Sequence, residues 1–404
     1  MKKPEPILHT LLDTDLYKLT MLQAFLHAYP ANWACYEFVC RNTPDYPLAL
    51  LKEDVEAQLD HLCTLTFRDA ELDWLSTKSY LKRDFIEFLR IFHLQRRYIT
   101  VTIKGDDLVI VAEGPQIHVT GFEIYTLAVV NELYCRRFDQ VSALAEGRAR
   151  LESKIKLLEE RDFPARLDAH PFEFFEFGTR RRFSRAWQEE VVRTMKERIP
   201  QFFKGTSNLD LARRYNLTAI GTMAHEYLQT FQGVPGVQLR QFQAQSLEAW
   251  AKEYRGDLGI ALTDTITMDA FLADFDLFFA KLFDGLRHDS GDPIVWGEKA
   301  IAHYLKLRID PQSKRLVFSD ALTFLRALEI HEHFADRTRT GFGIGTDLSN
   351  DMGLKALNIV MKLMSVNGQP VAKISDTPAK TLCRDMTFLN YLRQVFGLFP
   401  QAAA

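Results

Sequence analysis

Six short stretches carry side chains suited to phosphate and sugar chemistry. In GTMAHE (221–226) an apolar run gives way to Gly221, Thr222 and His225, which sets one imidazole at the end of a strand. Such a histidine is either a hydrogen-bonded structural group or, beside Glu226 and facing carboxylates, an imidazole held in one tautomer as a phosphate acceptor or proton carrier. RHDSGDP (287–293) packs Arg287, Asp289 and a glycine turn directly after an apolar run, a set that accepts sugar hydroxyls or holds Mg²⁺ through water. Asp264 in LTDT and Asp320 in FSDAL stand at two further strand ends, either as helix caps or as carboxylates facing the same mouth. FEFGTRRRFS (175–184) places Phe177 next to Arg180, an aromatic plane beside a guanidinium that suits a flat heteroaromatic ring bearing an anionic group. TGFGIGT (340–346) offers Gly341, Gly343 and Gly345 either as a backbone cradle for an anion or as tight turns needed for packing.

The elements that must position these groups follow from pattern. Apolar runs centred near residues 175, 202, 219, 261, 285, 317, 343 and 361 alternate with helices or loops, giving seven or eight βα units. That spacing predicts an α/β fold, an irregular, incomplete (β/α) barrel over residues 140–375 with its polar strand ends on one face. Residues 1–139 read as an α+β unit carrying an antiparallel sheet, joined by the tail at about 376–404. Within that unit WACYEFVCRN alternates like a strand ended by Asn42-Thr43-Pro44, and residues 98–120 read as β structure. Gly105-Asp106-Asp107 is taken as a hairpin connection and Glu113-Gly114-Pro115 as a second turn. Residues 10–30 read as a surface helix with an amphipathic Tyr17, and Arg136–Glu160 as a long, charge-laced helix bridging the two units.

Composition narrows the class. A chain of 404 residues with 47% apolar and 25% charged residues has the make-up of a globular protein with a large core. A net charge of −3 gives no electrostatic reason to bind nucleic acid or an acidic membrane. The five cysteines form no metal-ligand spacing, and no stretch approaches the roughly 18 to 20 apolar residues of a membrane span, so a cytoplasmic setting is expected.

Taken together, DTDLYKLTM (13–21), EGP (113–115), FEFGTRRRFS, KGTSN (204–208), GTMAHE, TDT (263–265), RHDSGDP, FSDAL, GFGIGT and KISD (373–376) resemble the nicotinate phosphoribosyltransferase family, in family order over nearly the whole chain. The resemblance implies ligation of nicotinate to 5-phosphoribosyl 1-diphosphate with Mg²⁺ and coupled ATP hydrolysis. The products would be nicotinate mononucleotide and diphosphate, the first step of NAD salvage from nicotinate. It implies a homodimer with shared active sites, in which Tyr17 reaches the ring from the partner. It further implies that His225 is phosphorylated from ATP and that Phe177 stacks on the ring. Arg180 and Arg287 would bind donor or substrate, and Gly343, Gly345 and Thr346 would take the 5′-phosphate. The related nicotinamide enzymes carry an aspartate where this chain has Ser207, which favours the acid over the amide. A nicotinamide-type enzyme and a catalytically idle, nucleotide-sensing barrel are the rival readings.

Overall fold

The computed structural model describes residues 5–42, 46–161 and 170–398. The expected strand stop at Thr43-Pro44 lies outside them. Two sheets organise the rest. The strands are β1 (Trp33–Cys40), β2 (Ile99–Lys104), β3 (Asp107–Pro115), β4 (Phe174–Glu176), β5 (Phe203–Thr206), β6 (Thr218–Ala219), β7 (Arg255–Leu258), β8 (Ile260–Leu262), β9 (Gly285–His288), β10 (Arg315–Phe318), β11 (Arg339–Ile344), β12 (Ile359–Val366) and β13 (Gln369–Pro370).

The antiparallel sheet has the order β13-β12-β1-β3-β2. Its hairpin turns at Gly105, whose φ of +61° suits a residue without Cβ, as the spacing predicts. Glu113-Gly114-Pro115 is not a turn but the end of β3. Gly114 serves a close approach instead: a Cβ there would lie 2.6 Å from the Tyr98 ring. The apolar run near 361 is β12, which pairs with β1 (Glu37 opposite Lys362) and not with the barrel strands. Alternating polarity marks a strand without saying which sheet it joins.

The parallel sheet has the order β6-β5-β4-β11-β10-β9-β8, a curled half-barrel of seven strands. Its edges β6 and β8 are not paired through backbone. Side chains span the seam: Thr222 Oγ1 donates to Ile260 O at 2.9 Å, and Thr20 Oγ1 donates to Thr222 O at 2.7 Å. Thr20 belongs to helix α1 (Leu16–Ala28), which lies against the opening. The expected surface helix is therefore a core helix. Leu16, Leu19, Met21, Leu22 and Phe25 are all buried, because LYKLTMLQAFLHA is apolar around most of its circumference. Lys18, also buried, bonds Glu123 at 2.6 Å and Glu226. The long helix runs from Gln140 to Glu159 and starts where the Asp139 side chain accepts Val141 N–H. The C-terminal helix, Met386–Val395, packs through Phe396 on Phe242, while Arg384 just before it pairs with Glu37 on β1.

Candidate active site

A cavity of about 580 Å³ opens at the carboxyl ends of the parallel strands. Tyr17, Phe177, Arg180, Ser207, His225, Arg287, Asp289, Asp320, Gly343, Gly345 and Thr346 all line it. Asp264 stands just behind the wall. The polar strand ends thus converge as a barrel of this kind requires.

One end is built around His225, first residue of the short helix His225–Thr230. Its Nε2 lies 2.7 Å from Asp264 Oδ1 and 3.7 Å from Asp289 Oδ2. Lys373 Nζ lies 2.7 Å from Asp264 Oδ2, and Ser290 Oγ donates to the same oxygen at 2.6 Å. Burial, then the Lys373 ammonium, hold the His225 imidazole down to about 4, against the pull of Asp264. Burial alone would raise the Asp264 carboxyl; His225 and Lys373 overcome it and keep it ionised. The ring is therefore neutral. Nε2–H donates to Asp264, and Nδ1 carries the lone pair of a nucleophile. Asp320 completes this end, paired with Lys380, which also donates to Asp289 O at 2.6 Å.

The other end is cationic. Arg41, Arg180, Arg181, Arg287 and Lys362 line the cavity. Among the described residues only Arg180 has a carboxylate within 4 Å, Glu123 at 3.8 Å. Burial pushes Lys362 down to about 8 against the pull of Glu123, with Arg180, Lys373 and Arg41 adding to the fall, and pushes Arg181 down to about 9, helped by Arg180 and Arg41. Crowding cations without counter-ions is what an anion would relieve. The three consecutive arginines divide: Arg180 and Arg181 face the cavity, whereas Arg182 turns into the core and binds Asp13 through two bonds of 2.6 and 2.8 Å.

Between the two ends lies an aromatic and glycine floor. Phe177 N–H donates to Ile344 O at 2.8 Å, and its ring lies against Gly343, where a Cβ would come within 2.3 Å. Gly343 therefore makes room for the ring, and Gly345 starts the helix Thr346–Ser349. Ser207 Oγ donates to Asp15 Oδ1 at 2.8 Å, and the helix that follows is capped by Asn208, so Ser207 is not a cap. Burial raises the Asp15 carboxyl against that bond. Tyr17 lines the cavity of its own chain, brought there by α1 at the barrel seam.

Sequence reasoning gave no role to Arg41, Lys362, Lys373, Lys380 and Glu176. A lysine in the otherwise apolar IVMKLMSV was the available signal for Lys362, and KISD contained Lys373 unassigned. No pattern points to Arg41.

A half-barrel whose strand ends gather a neutral histidine, carboxylates, unpaired cations and an aromatic shelf defines an enzyme that handles phosphorylated sugars and a flat ring. Residues 12–131 match the nicotinate phosphoribosyltransferase N-terminal domain and residues 172–399 the nicotinate phosphoribosyltransferase family. A nicotinate phosphoribosyltransferase of Herminiimonas arsenicoxydans is 64% identical over 97% of this chain and 98% of its own. One from Chromobacterium violaceum is 57% identical over 98% of each. A crystal structure of nicotinate phosphoribosyltransferase from Vibrio cholerae superposes with a TM-score of 0.91 at 38% identity, over 98% of this chain and 95% of that one. One from Porphyromonas gingivalis gives 0.89 at 34% identity, over 97% and 100%. The chain belongs to the nicotinate phosphoribosyltransferase family. Among the described residues no helix is long and apolar enough to cross a membrane.

Proposed function

We propose that this cavity joins nicotinate to 5-phosphoribosyl 1-diphosphate in NAD salvage, with ATP hydrolysed alongside through a phosphohistidine at His225. The observation that carries this reading is the division of one cavity into an end whose five cations have, among the described residues, one carboxylate within 4 Å (Glu123), and an end of ion pairs holding a neutral imidazole. The pyridine ring rests on Phe177 with Tyr17 near it, and its carboxylate is drawn by Arg180 while Ser207 borders the ring's substituent. The pyridine nitrogen attacks the anomeric carbon as the bond to diphosphate breaks, so no general base is needed. Asp289 faces the positive charge that develops on the sugar, with Asp264 behind it holding His225 in place. Arg287 and the other cations hold the departing diphosphate, and the backbone at Gly343, Gly345 and Thr346, with Asp320 near, receives the 5′-phosphate. In the coupled step His225 Nδ1 takes the γ-phosphoryl group of ATP and later gives it to water.

Mg²⁺ fits the carboxylate end. Asp289 is half-buried; its Oδ2 lies 3.7 Å from the His225 ring and 3.9 Å from Lys373 Nζ, and its Oδ1 accepts from Ser319 Oγ at 3.4 Å, which leaves lone pairs for a hard cation; Asp320 is the second candidate. When bound, the ion would neutralise phosphate charge. We extend the proposal to a cytoplasmic homodimer with shared active sites, in which Tyr17 also reaches the ring of the partner's site.

The test incubates the pure protein with the phosphoribosyl donor and Mg²⁺, and with nicotinate or nicotinamide, with and without ATP. Nicotinate mononucleotide formed faster with ATP is the expected result. Product from nicotinamide alone would replace the acid with the amide.

A further inference from the structure

Glu176, the last residue of β4, is fully buried directly beneath the ring-binding wall, and the reaction as described does not use it. Every polar contact of its carboxylate is with a donor. Gly178 N–H reaches Oε1 at 2.6 Å, Thr206 Oγ1 reaches Oε2 at 2.6 Å, and Gln188 Nε2 lies 3.0 Å from both oxygens. The donor directions are fixed by neighbours. Gln188 turns its Oε1 to Arg182 Nη1 at 3.1 Å, which leaves its NH₂ for Glu176. Thr206 Oγ1 accepts Asn208 N–H at 3.0 Å and, 2.6 Å from Glu176 Oε2, has its own proton available for the carboxylate. Among the described residues no lysine or arginine nitrogen lies within 4 Å of it. Burial pushes the carboxyl up to about 7, while donation from the Thr206 hydroxyl, Gln188 Nε2 and Gly178 N–H favours the ionised form against it.

A buried carboxylate without a cation is costly unless its donors satisfy it. Here two of those donors border the wall: Gly178 lies between Phe177 and Arg180, and Thr206 precedes Ser207. The Glu176 main chain adds a third tie, since its carbonyl accepts Ser207 N–H at 2.9 Å. Gly178 is pressed from the far side as well, because a Cβ there would lie 2.1 Å from Ser349 Oγ. The turn can thus move only if the carboxylate lets go.

We propose that Glu176 is a positioning residue for the nicotinate ring, one carboxylate that fixes the Phe177–Arg180 turn and the Ser207 strand end relative to each other. This rests on the reading that Phe177 and Ser207 border the ring. Glu176→Gln keeps the shape but sets an NH₂ group against Thr206 or Gly178, each committed as a donor. The ring wall should loosen while the histidine end, held by its own Asp264–Lys373 pair, stays intact.

Steady-state kinetics with nicotinate and donor varied separately, together with thermal melts, test this on Glu176→Gln, Thr206→Val, Thr206→Ser and Phe177→Ala. Glu176→Gln is expected to raise KM for nicotinate about 10- to 100-fold, the scale of a displaced binding group, with kcat and the donor KM changed about threefold or less. Thr206→Val should shift the same parameter less, and Thr206→Ser, which keeps the hydroxyl, should restore it. A folded Glu176→Gln enzyme with unchanged nicotinate KM would overturn the proposal, as would equal losses in all three parameters. If Glu176→Gln does not fold, Thr206→Val against Thr206→Ser decides in its place: equal values for the two reject the proposal. Phe177→Ala separates the two claims, because an unmoved nicotinate KM there rejects the ring-site reading itself.

Discussion

The two ends of the cavity solve the problem of buried charge in opposite ways. At the His225 end each charge has a partner: Asp264 with Lys373, Asp320 with Lys380, and an imidazole that stays neutral between them. At the other end Arg41, Arg181, Arg287 and Lys362 have no carboxylate within 4 Å among the described residues. A paired end is stable when empty and suits chemistry done by the protein's own groups. An unpaired end is strained when empty and gains when an anion arrives, so its cost is repaid by ligand binding. The same residue class therefore has different uses a few ångströms apart, and substitutions should expose the difference.

The largest effect is expected at the paired end. Asp264→Asn leaves Lys373 without its close partner and breaks the histidine's hydrogen bond, so stability should fall by about 3–5 kcal/mol. Activity should fall with it, and calorimetry beside kinetics would show both. Unchanged stability would mean that the pair is not buried as described. Next, His225→Ala should abolish ATP stimulation and acid-labile label from γ-labelled ATP, with the ATP-independent rate retained. Stable label in the variant would place the acceptor elsewhere.

At the unpaired end the signs separate. Arg181→Ala should raise KM for an anionic substrate about 10- to 100-fold, yet leave Tm unchanged or higher, since a repelled cation has been removed. A marked drop in Tm would show that Arg181 has a structural partner. The smallest effect concerns pH. His225 falls from an ordinary 6.5 in the unfolded chain to about 4 when folded. Between those values the unfolded chain binds the extra proton, so stability should decline as pH drops from about 6.5 to 4 and level off below. Phosphorylation of His225 should stay nearly flat from pH 8 to 5, because the ring remains neutral throughout. A loss of label centred near 6.5 would assign His225 an ordinary pKa.

Much of the site was legible because its residues sit at strand ends. An apolar run that stops at Gly, Asp, Arg or His announces both the strand and the face, which is how Phe177, Asp289 and Asp320 were placed. Arg41, Lys362 and Lys380 were not legible. They reach the cavity from β1, β12 and the loop after β13, and nothing local states that these segments lean over the barrel mouth. The buried α1 was misread for a related reason. Its polar Lys18 looks like a solvent-facing residue until the two glutamates that surround it, from distant parts of the chain, are known. Ser207 shows the limit of reading a position by analogy. Asp15 already holds a carboxyl against it, so Ser207→Asp would create two acids sharing a proton as well as a charge facing the ring.

The pairing of β1 with β12 joins residues 34–40 to residues 359–366, and α1 bonds through Thr20 to Thr222, which in turn reaches Ile260 of β8. During synthesis the first strand and the first helix emerge long before either partner exists. The antiparallel sheet therefore lacks a neighbour on one side of β1 until almost the whole chain has left the ribosome. Contacts of such long range slow folding and leave a bare strand edge exposed meanwhile. The run β8 to β11 of the barrel should thus assemble in sequence, while β1, like β4 beside β11, waits for a late strand. For production of the protein, carboxyl-terminal truncations that remove β12 should yield aggregates, even though they spare every strand of the barrel.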